Sequence, residues 1–357
     1  MPTEKSRSFR QGALLAVLAL CLPSATPRAQ APADPLAAAS AKLSDENPMV
    51  RRQAADELGR LRNPAAVPLL LKSLSDPQPY VRTAVVDSLG LLRAREAAPR
   101  LATLLAKDDS APVRQQAAIA LASMSDPAAE EALVKALKDP AEGVRFAAAR
   151  TLGAVHSLKA VAPLGELLKD PNPGMRRSAA GALGQIGSKD AAPSLQSVLD
   201  DQDAYVRREA VKALGNISDP SLGGALKGKL SDSDPAVRLY AALGLGRLGD
   251  PSGEPEALRL LADSDPALRQ QAANVLGAIG GKDAALAALR KALVSESDPQ
   301  AKQLIGFALD QLKARHGIKE EESPAKPAAA KPAPKTAPRA PAKKPTSPAK
   351  PAPKKTP

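Results

Sequence analysis

Aspartate and arginine recur along this chain at one fixed spacing, with the arginine six residues after the aspartate. The pairs are Asp45 and Arg51, Asp76 and Arg82, Asp108 and Arg114, Asp139 and Arg145, Asp170 and Arg176, Asp201 and Arg207, Asp232 and Arg238, and Asp263 and Arg269. A planar guanidinium forks onto carboxylate or carbonyl oxygens, so such pairs can build a structural ladder. Turned outward, the same arginines would make a basic stripe for anionic ligands. Every arginine comes with its own carboxylate, which favours the ladder.

Other spacings lead to no reaction. Gly244-Leu245-Gly246-Arg247-Leu248-Gly249 spells G-x-G-x-x-G, which holds a dinucleotide only between a strand and a helix. Here it ends a helical run, and Gly246 occupies the slot held by Gly59, Gly90, Gly153, Gly184, Gly215 and Gly277. His156 and His316 stand far apart, and neither H-x-x-x-H nor C-x-x-C spacing occurs, so no metal ligands are assigned. No G-x-S-x-G elbow is present. The acid pairs Asp108-Asp109, Glu130-Glu131 and Asp200-Asp201 fall at turns or solvent faces, where solvated capping is expected. The sequence assigns no catalytic residue, no cofactor and no metal: it reads as a non-enzyme.

What positions the pairs is a repeat. Successive arginines from Arg51 to Arg269 lie 31, 32, 31, 31, 31, 31 and 31 residues apart, and a worn ninth copy, Ala301-Lys302, follows 33 later. Such a period signals a solenoid. Seven residues after each arginine stands Leu58, Leu89, Leu121, Leu152, Leu183, Leu214, Leu245 or Leu276, with small residues at positions three and four between. That is one face of a helix able to approach another closely. The second half of each unit, as in Ala66-Val67-Pro68-Leu69-Leu70, is also helix-periodic, with proline in the first turn. Each unit is therefore a helical hairpin. Asn47, Ser110, Asn172, Asp203, Asp234, Asp265 and Asp298 stand as helix-start signals, and Gly187, Gly249 and Gly280 suit a left-handed helix end.

The core Asp-x-x-Pro-x-Val-Arg-x-x-Ala-Ala-x-Ala-Leu-Gly with its Pro-x-Leu second helix resembles the HEAT repeat family, in its phycobilisome-lyase-type HEAT-like form. The resemblance spans about 35–316. It implies an all-α, right-handed α-solenoid of about eight HEAT-like hairpins with terminal capping helices, at Asp34 to Ser44 and at 298–316. It further implies that the aspartates and arginines bond between turns and neighbouring repeats, and that the arginine-bearing helices line the concave side. HEAT-like enzymes resembling deoxyhypusine hydroxylase carry His-Glu pairs for iron; no His-Glu dipeptide occurs here. HEAT-like DNA glycosylases rely on cleft aromatics, and this chain has Trp 0.

The two ends differ from the middle. Residues 1–31 have a basic start at Lys5, Arg7 and Arg10, then an apolar run from Gly12 to Leu22, and Ala29-Gln30-Ala31 offers a cleavage site, with Ala31-Pro32-Ala33 as a second. This pattern predicts a signal peptide and an exported, periplasmic protein. The alternatives are secretion, or a lipid anchor on Cys21, the only cysteine. Residues 319–357 hold Pro, Ala and Lys with ten Lys/Arg against three glutamates, a composition expected to stay disordered. Residues 1–31 carry four basic residues against one acid, so of the net +12 the solenoid 32–318 keeps only +2. The basicity thus belongs to the ends. The tail is a spacer or tether to anionic envelope polymers in one reading and a nucleic-acid binder in a less favoured one.

What remains is a surface. The concave side should expose positions one, five and nine after each arginine, with position two at the margin. These read Arg52, Phe146, Arg150, Arg177, Arg208, Lys212, Leu239, Leu243 and Arg247, with Tyr240 beside them. Arginine with aromatics is the composition of interface hot spots, so the strip is expected to bind a protein partner, the chain acting as a monomeric scaffold. The bland alternative is a solvated helix face with Leu239 and Leu243 packed on neighbours. Competing functions are polyanion binding through the tail and a lyase-like accessory subunit.

Overall fold

The structure, a computed structural model, describes residues 34–124 and 126–318, with the side chains of 127 and 128 left aside. The signal-peptide and tail assignments lie outside the described residues. The helices in order are α1 (Pro35–Lys42), α2 (Pro48–Arg60), α3 (Val67–Ser73), α4 (Pro79–Leu91), α5 (Ala98–Lys107), α6 (Ala111–Leu121), α7 (Pro127–Ala136), α8 (Glu142–Ala154) and α9 (Val161–Leu167). They continue as α10 (Pro173–Ile186), α11 (Ala192–Gln196), α12 (Ala204–Ile217), α13 (Gly223–Gly228), α14 (Pro235–Arg247), α15 (Glu254–Leu260), α16 (Pro266–Ile279), α17 (Ala284–Ser295) and α18 (Pro299–Arg315). There is no strand among the described residues. The chain is an α-solenoid.

Two rows of helices run side by side. The arginine-bearing helices, α2 and every second one through α18, pack on one another along the whole array, whereas most helices of the other row meet their own row only weakly. A double row with the shorter spacing on one side curves toward that side, so the arginine-bearing row is the inner, concave one. Small residues allow the short spacing. A Cβ on Gly184 would lie 2.7 Å from the Ala213 Cβ, and one on Gly215 would lie 2.9 Å from the Gly244 Cα. The leucines seven after each arginine are all buried. Ser88 and Thr151 tie the row together across repeats, their hydroxyls donating to the carbonyls of Ala55 (2.8 Å) and Ala118 (2.9 Å).

The helix ends follow the punctuation with two exceptions. Asn47, Asn172, Asp203, Asp234, Asp265 and Asp298 accept hydrogen bonds from first-turn amides. Ser110 holds the N-cap position, but its side chain makes no cap bond. The residue eleven after the arginine is left-handed at Arg62, Arg93, His156, Gly187, Ser218 and Gly249. Gly280 departs, with φ −57° and ψ 144°, so it turns the chain without the expected left-handed step.

One buried apolar cluster runs from Ala39 to Leu245, and a second occupies the C-terminal repeats, from Leu239 to Leu312. The last helix exposes Gln303, Asp310 and Gln311 as a terminal cap should, but Leu304 and Phe307 are exposed beside them.

Candidate functional site

The paired charges form a ladder along one edge of the inner row. Each arginine reaches two ways: Nη1 donates to carbonyls in its own turn, while Nε and Nη2 fork onto the carboxylate of the next repeat. Arg51 bonds the Asp45 carbonyl at 2.8 Å and forks onto Asp76 at 2.7 and 3.0 Å. Arg82 repeats this on Asp108, Arg114 on Asp139, Arg176 on Asp201 and Arg207 on Asp232. The same aspartates accept the amide two residues on, as Asp201 does from Asp203 at 2.9 Å. The Arg176 fork holds the Asp201 carboxyl below its usual range against the opposing pull of burial. Burial alone would raise Asp76 and Asp232, but their arginine forks and amide donors outweigh it, and both end lowered.

Three rungs differ. Among the described residues Arg145 bonds only the carbonyls of Asp139 and Pro140, and Asp170 accepts no arginine. Arg238 takes Glu256 on α15, at 2.6 Å, in place of Asp263. Arg269 forks onto Glu296 at 2.7 Å on both oxygens, and Arg269 with the Asp298 amide brings Glu296 down to about 2. Glu296 stands six residues before Lys302, so the worn ninth copy keeps its acid, with glutamate for aspartate. Asp45, at the first rung, follows no earlier full repeat and caps the amide of Asn47.

The acid pairs are solvated or capping, as expected, with Asp109, Glu131 and Asp200 exposed and Asp108 and Asp201 accepting the amides of Ser110 and Asp203, and they carry ion pairs besides. Asp109 joins Asp108 on Arg82, Glu130 meets Ser157 and Lys159, Glu131 meets Lys135, and Asp200 meets Lys229. His316 Nε2 lies 3.1 Å from the Gly280 carbonyl, and His156 sits at a left-handed turn. Among the described residues no group of three His, Cys, Asp or Glu could hold a metal ion. The glycine fingerprint ends α14, as its spacing suggested.

The proposed concave strip is partly assembled. Arg150 and Arg177 are exposed, and neither meets a carboxylate among the described residues. Phe146, four residues before Arg150, is half-buried. Arg208 is less free than expected, because it forks onto the Asp234 N-cap carboxylate, with Nε at 2.8 Å. Lys212 sits 3.8 Å from Glu209 and 6.0 Å from the Tyr240 ring centroid. Arg247 bonds the Asn216 side chain. Leu239 is a correction: at 1% exposure it belongs to the C-terminal core, and half-buried Leu243 packs against the same cluster. Position one after the arginine faces inward in that repeat because α14 joins two core clusters.

The repeats have known relatives. Residues 36–122, 99–180, 161–228 and 224–310 match the family described as HEAT repeats. The chain belongs to the HEAT-repeat family. An engineered protein superposes on this HEAT solenoid with a TM-score of 0.50 at 22% identity, covering 80% of this chain and 91% of its own. YibA of Escherichia coli gives 0.45 at 23%, covering 78% and 92%. The CpcE–CpcF complex of phycocyanin lyase from Nostoc sp. PCC7120 gives 0.38 at 22%, covering 81% and 98%. No curated protein matches the chain. The engineered protein supports the fold alone.

Within the HEAT inner row, the sequence reading missed the residue two before the arginine. Tyr205 occupies it and is 55% exposed, its ring centroid 5.8 Å from the Arg177 guanidinium carbon and 4.7 Å from that of Arg208. Tyr80 occupies the same slot four repeats earlier, 40% exposed. The signal was a tyrosine in the first helical turn of a chain holding Tyr 3 in all.

Proposed function

We propose that this HEAT solenoid is a non-enzymatic scaffold that holds a protein partner on its inner face, across α8 to α14. Tyr205 carries the reading. An exposed aromatic ring bracketed by two guanidinium groups supports a site for a partner segment with its own apolar anchor and carboxylates. Arg208 is fixed by Asp234 and presents a pre-set edge to Tyr205, whereas Arg177 and Arg150 keep their donors for the partner. The cell envelope is the proposed location, on the strength of the leader-like residues 1–31. No helix among the described residues is long and apolar enough to cross a membrane.

The test is affinity capture from envelope extract with chain 32–357 and its Tyr205→Ala/Arg177→Glu variant. Arg208 stays intact, because a glutamate there would face Asp234 and damage the N-cap. A protein retained by the parent and lost by the variant, at equal thermal stability, supports the scaffold. Identical capture by both removes this face from consideration.

A further inference from the structure

The inner face changes character toward the N-terminus. Between α2, α4 and α6 lies an open groove of ≈ 620 Å³ whose lining includes Pro79, Tyr80 and Pro112 together with Arg52, Asp56 and Asp87. It continues through Asp87 and Gln116 into a second hollow of ≈ 540 Å³ that presents Leu91 and Ile119, 53% and 44% exposed. In the first groove Arg52 lies 3.9 Å from Asp56 and is the one cation lining it among the described residues, while Arg93 lines the second hollow. Burial and then the Asp56 charge push the Asp87 carboxyl above its usual range. Gln116 donates to Asp87 at 2.8 Å, which orients that carboxylate in the groove lining. The result is an exposed ring flanked by prolines next to a net negative pair. Aromatic grooves of this kind take extended proline segments, and the carboxylates take ammonium groups.

The chain supplies a segment with that chemistry. Residues 319–357 carry Lys326-Pro327, Lys331-Pro332, Lys344-Pro345 and Lys350-Pro351, within a net charge of +7. We propose that the α2–α4–α6 groove is the docking site of this chain's own segment 319–357. Proline rings lie on Tyr80, and lysines meet Asp56 and Asp87. Length permits it in cis. From α18 to α4 is seven inner-row steps, roughly 70 Å at about 10 Å per step. Thirty-nine extended residues reach about 120 Å. Charge directs it as well: the strip at α8 to α14 presents Arg150 and Arg177, which repel lysine, so the favourable end of the inner face is the N-terminal one. Four Lys-Pro steps give several equivalent registers. The groove is separate from the partner strip, and either proposal can fail alone.

Carbodiimide coupling of the full chain, read by mass spectrometry, tests this by joining lysines to carboxylates in direct contact. Expected are links from tail lysines to Asp56 and Asp87, in excess over the open carboxylates Glu131, Glu166 and Asp310, and weakened by high salt. Tyr80→Ala should lower the groove links about two- to fivefold and leave the open carboxylates unchanged. Gln116→Lys, which sets an ammonium beside Asp87 without touching the core, should lower the Asp56 links similarly. Mixing isotope-labelled and unlabelled chains should give links within one chain only. Links spread in proportion to exposure, insensitivity to both variants, or mixed-label pairs would each overturn docking in cis.

Discussion

Arg176 and Arg177 are neighbours in sequence, yet they belong to different parts of the molecule. Arg176 turns to the ladder, where the Asp170 carbonyl and the Asp201 carboxylate take its donors. Arg177 turns to the open inner face, where its described contact is the Tyr205 ring. Arg51 and Arg52 divide the same way, whereas Arg207 and Arg208 do not, since Arg207 forks onto Asp232 and Arg208 onto Asp234, both in the next repeat. One residue of helical rotation moves a side chain by about 100°, enough to send one guanidinium into a fork and the other to solvent. The identical charge is structural where a carboxylate from the next repeat meets it, and available for recognition where none does. The ladder edge should therefore control stability, and the inner face should control binding.

The sharpest break in that comparison comes from the ladder. Asp201→Ala leaves the Arg176 fork and the Asp203 amide without their acceptor, and should cost about 2–3 kcal/mol in urea unfolding. Because each repeat packs only on its neighbours, the transition should also broaden. Next, Gly184→Ala forces a Cβ to within 2.7 Å of the Ala213 Cβ. Overpacking of this kind costs about 1–3 kcal/mol, and the same substitution at Gly224, where nothing lies within reach, should be harmless.

Acid separates the two regions again. Asp201 and Glu296 are lowered in the folded state, by their arginine forks first. Their contribution is complete above the unfolded carboxylate values and is lost as pH falls from about 4.5 toward the folded value, about 2 for Glu296. Asp87 on the inner face has the opposite sign: it is raised by burial and by Asp56, so its penalty appears as pH rises through its folded value. Asp87→Asn should consequently leave neutral-pH stability unchanged or slightly higher, while flattening the response just above the ordinary carboxylate range by about a few tenths of a kcal/mol, the scale of one exposed charge pair. Thermal melts of both variants across pH 2 to 7 would check the two signs together.

Much of the ladder and its hairpins was legible, because period, caps and leucine spacing are local facts. The Asp-Arg interval fixed which residues make rungs, but own-repeat and next-repeat pairing share one spacing, and only packing places Asp76 under Arg51. Glu256 displacing Asp263 was invisible for the same reason: α15 brings a longer acid to Arg238 from another helix. Leu239 follows the packed alternative and not the exposed strip: the repeat average puts its position outward, while the junction of two cores at α14 turns it in. Tyr80 and Tyr205 precede their arginines by two residues, a slot held by Met49, Pro112, Gly143, Gly174, Ala236 and Ala267 elsewhere. No periodic reading marks that slot, and only the folded surface shows that it opens onto the inner face.

The most direct test of the division between neighbours is urea unfolding of Arg176→Ala and Arg177→Ala in the same chain. The first should lose about 2–3 kcal/mol, because the buried Asp201 keeps its charge without a partner, and the second should stay within about 0.5 kcal/mol of the parent. Equal losses would mean that the inner-face arginines hold the solenoid together as the ladder does, and that the face has no charge to spare for a partner.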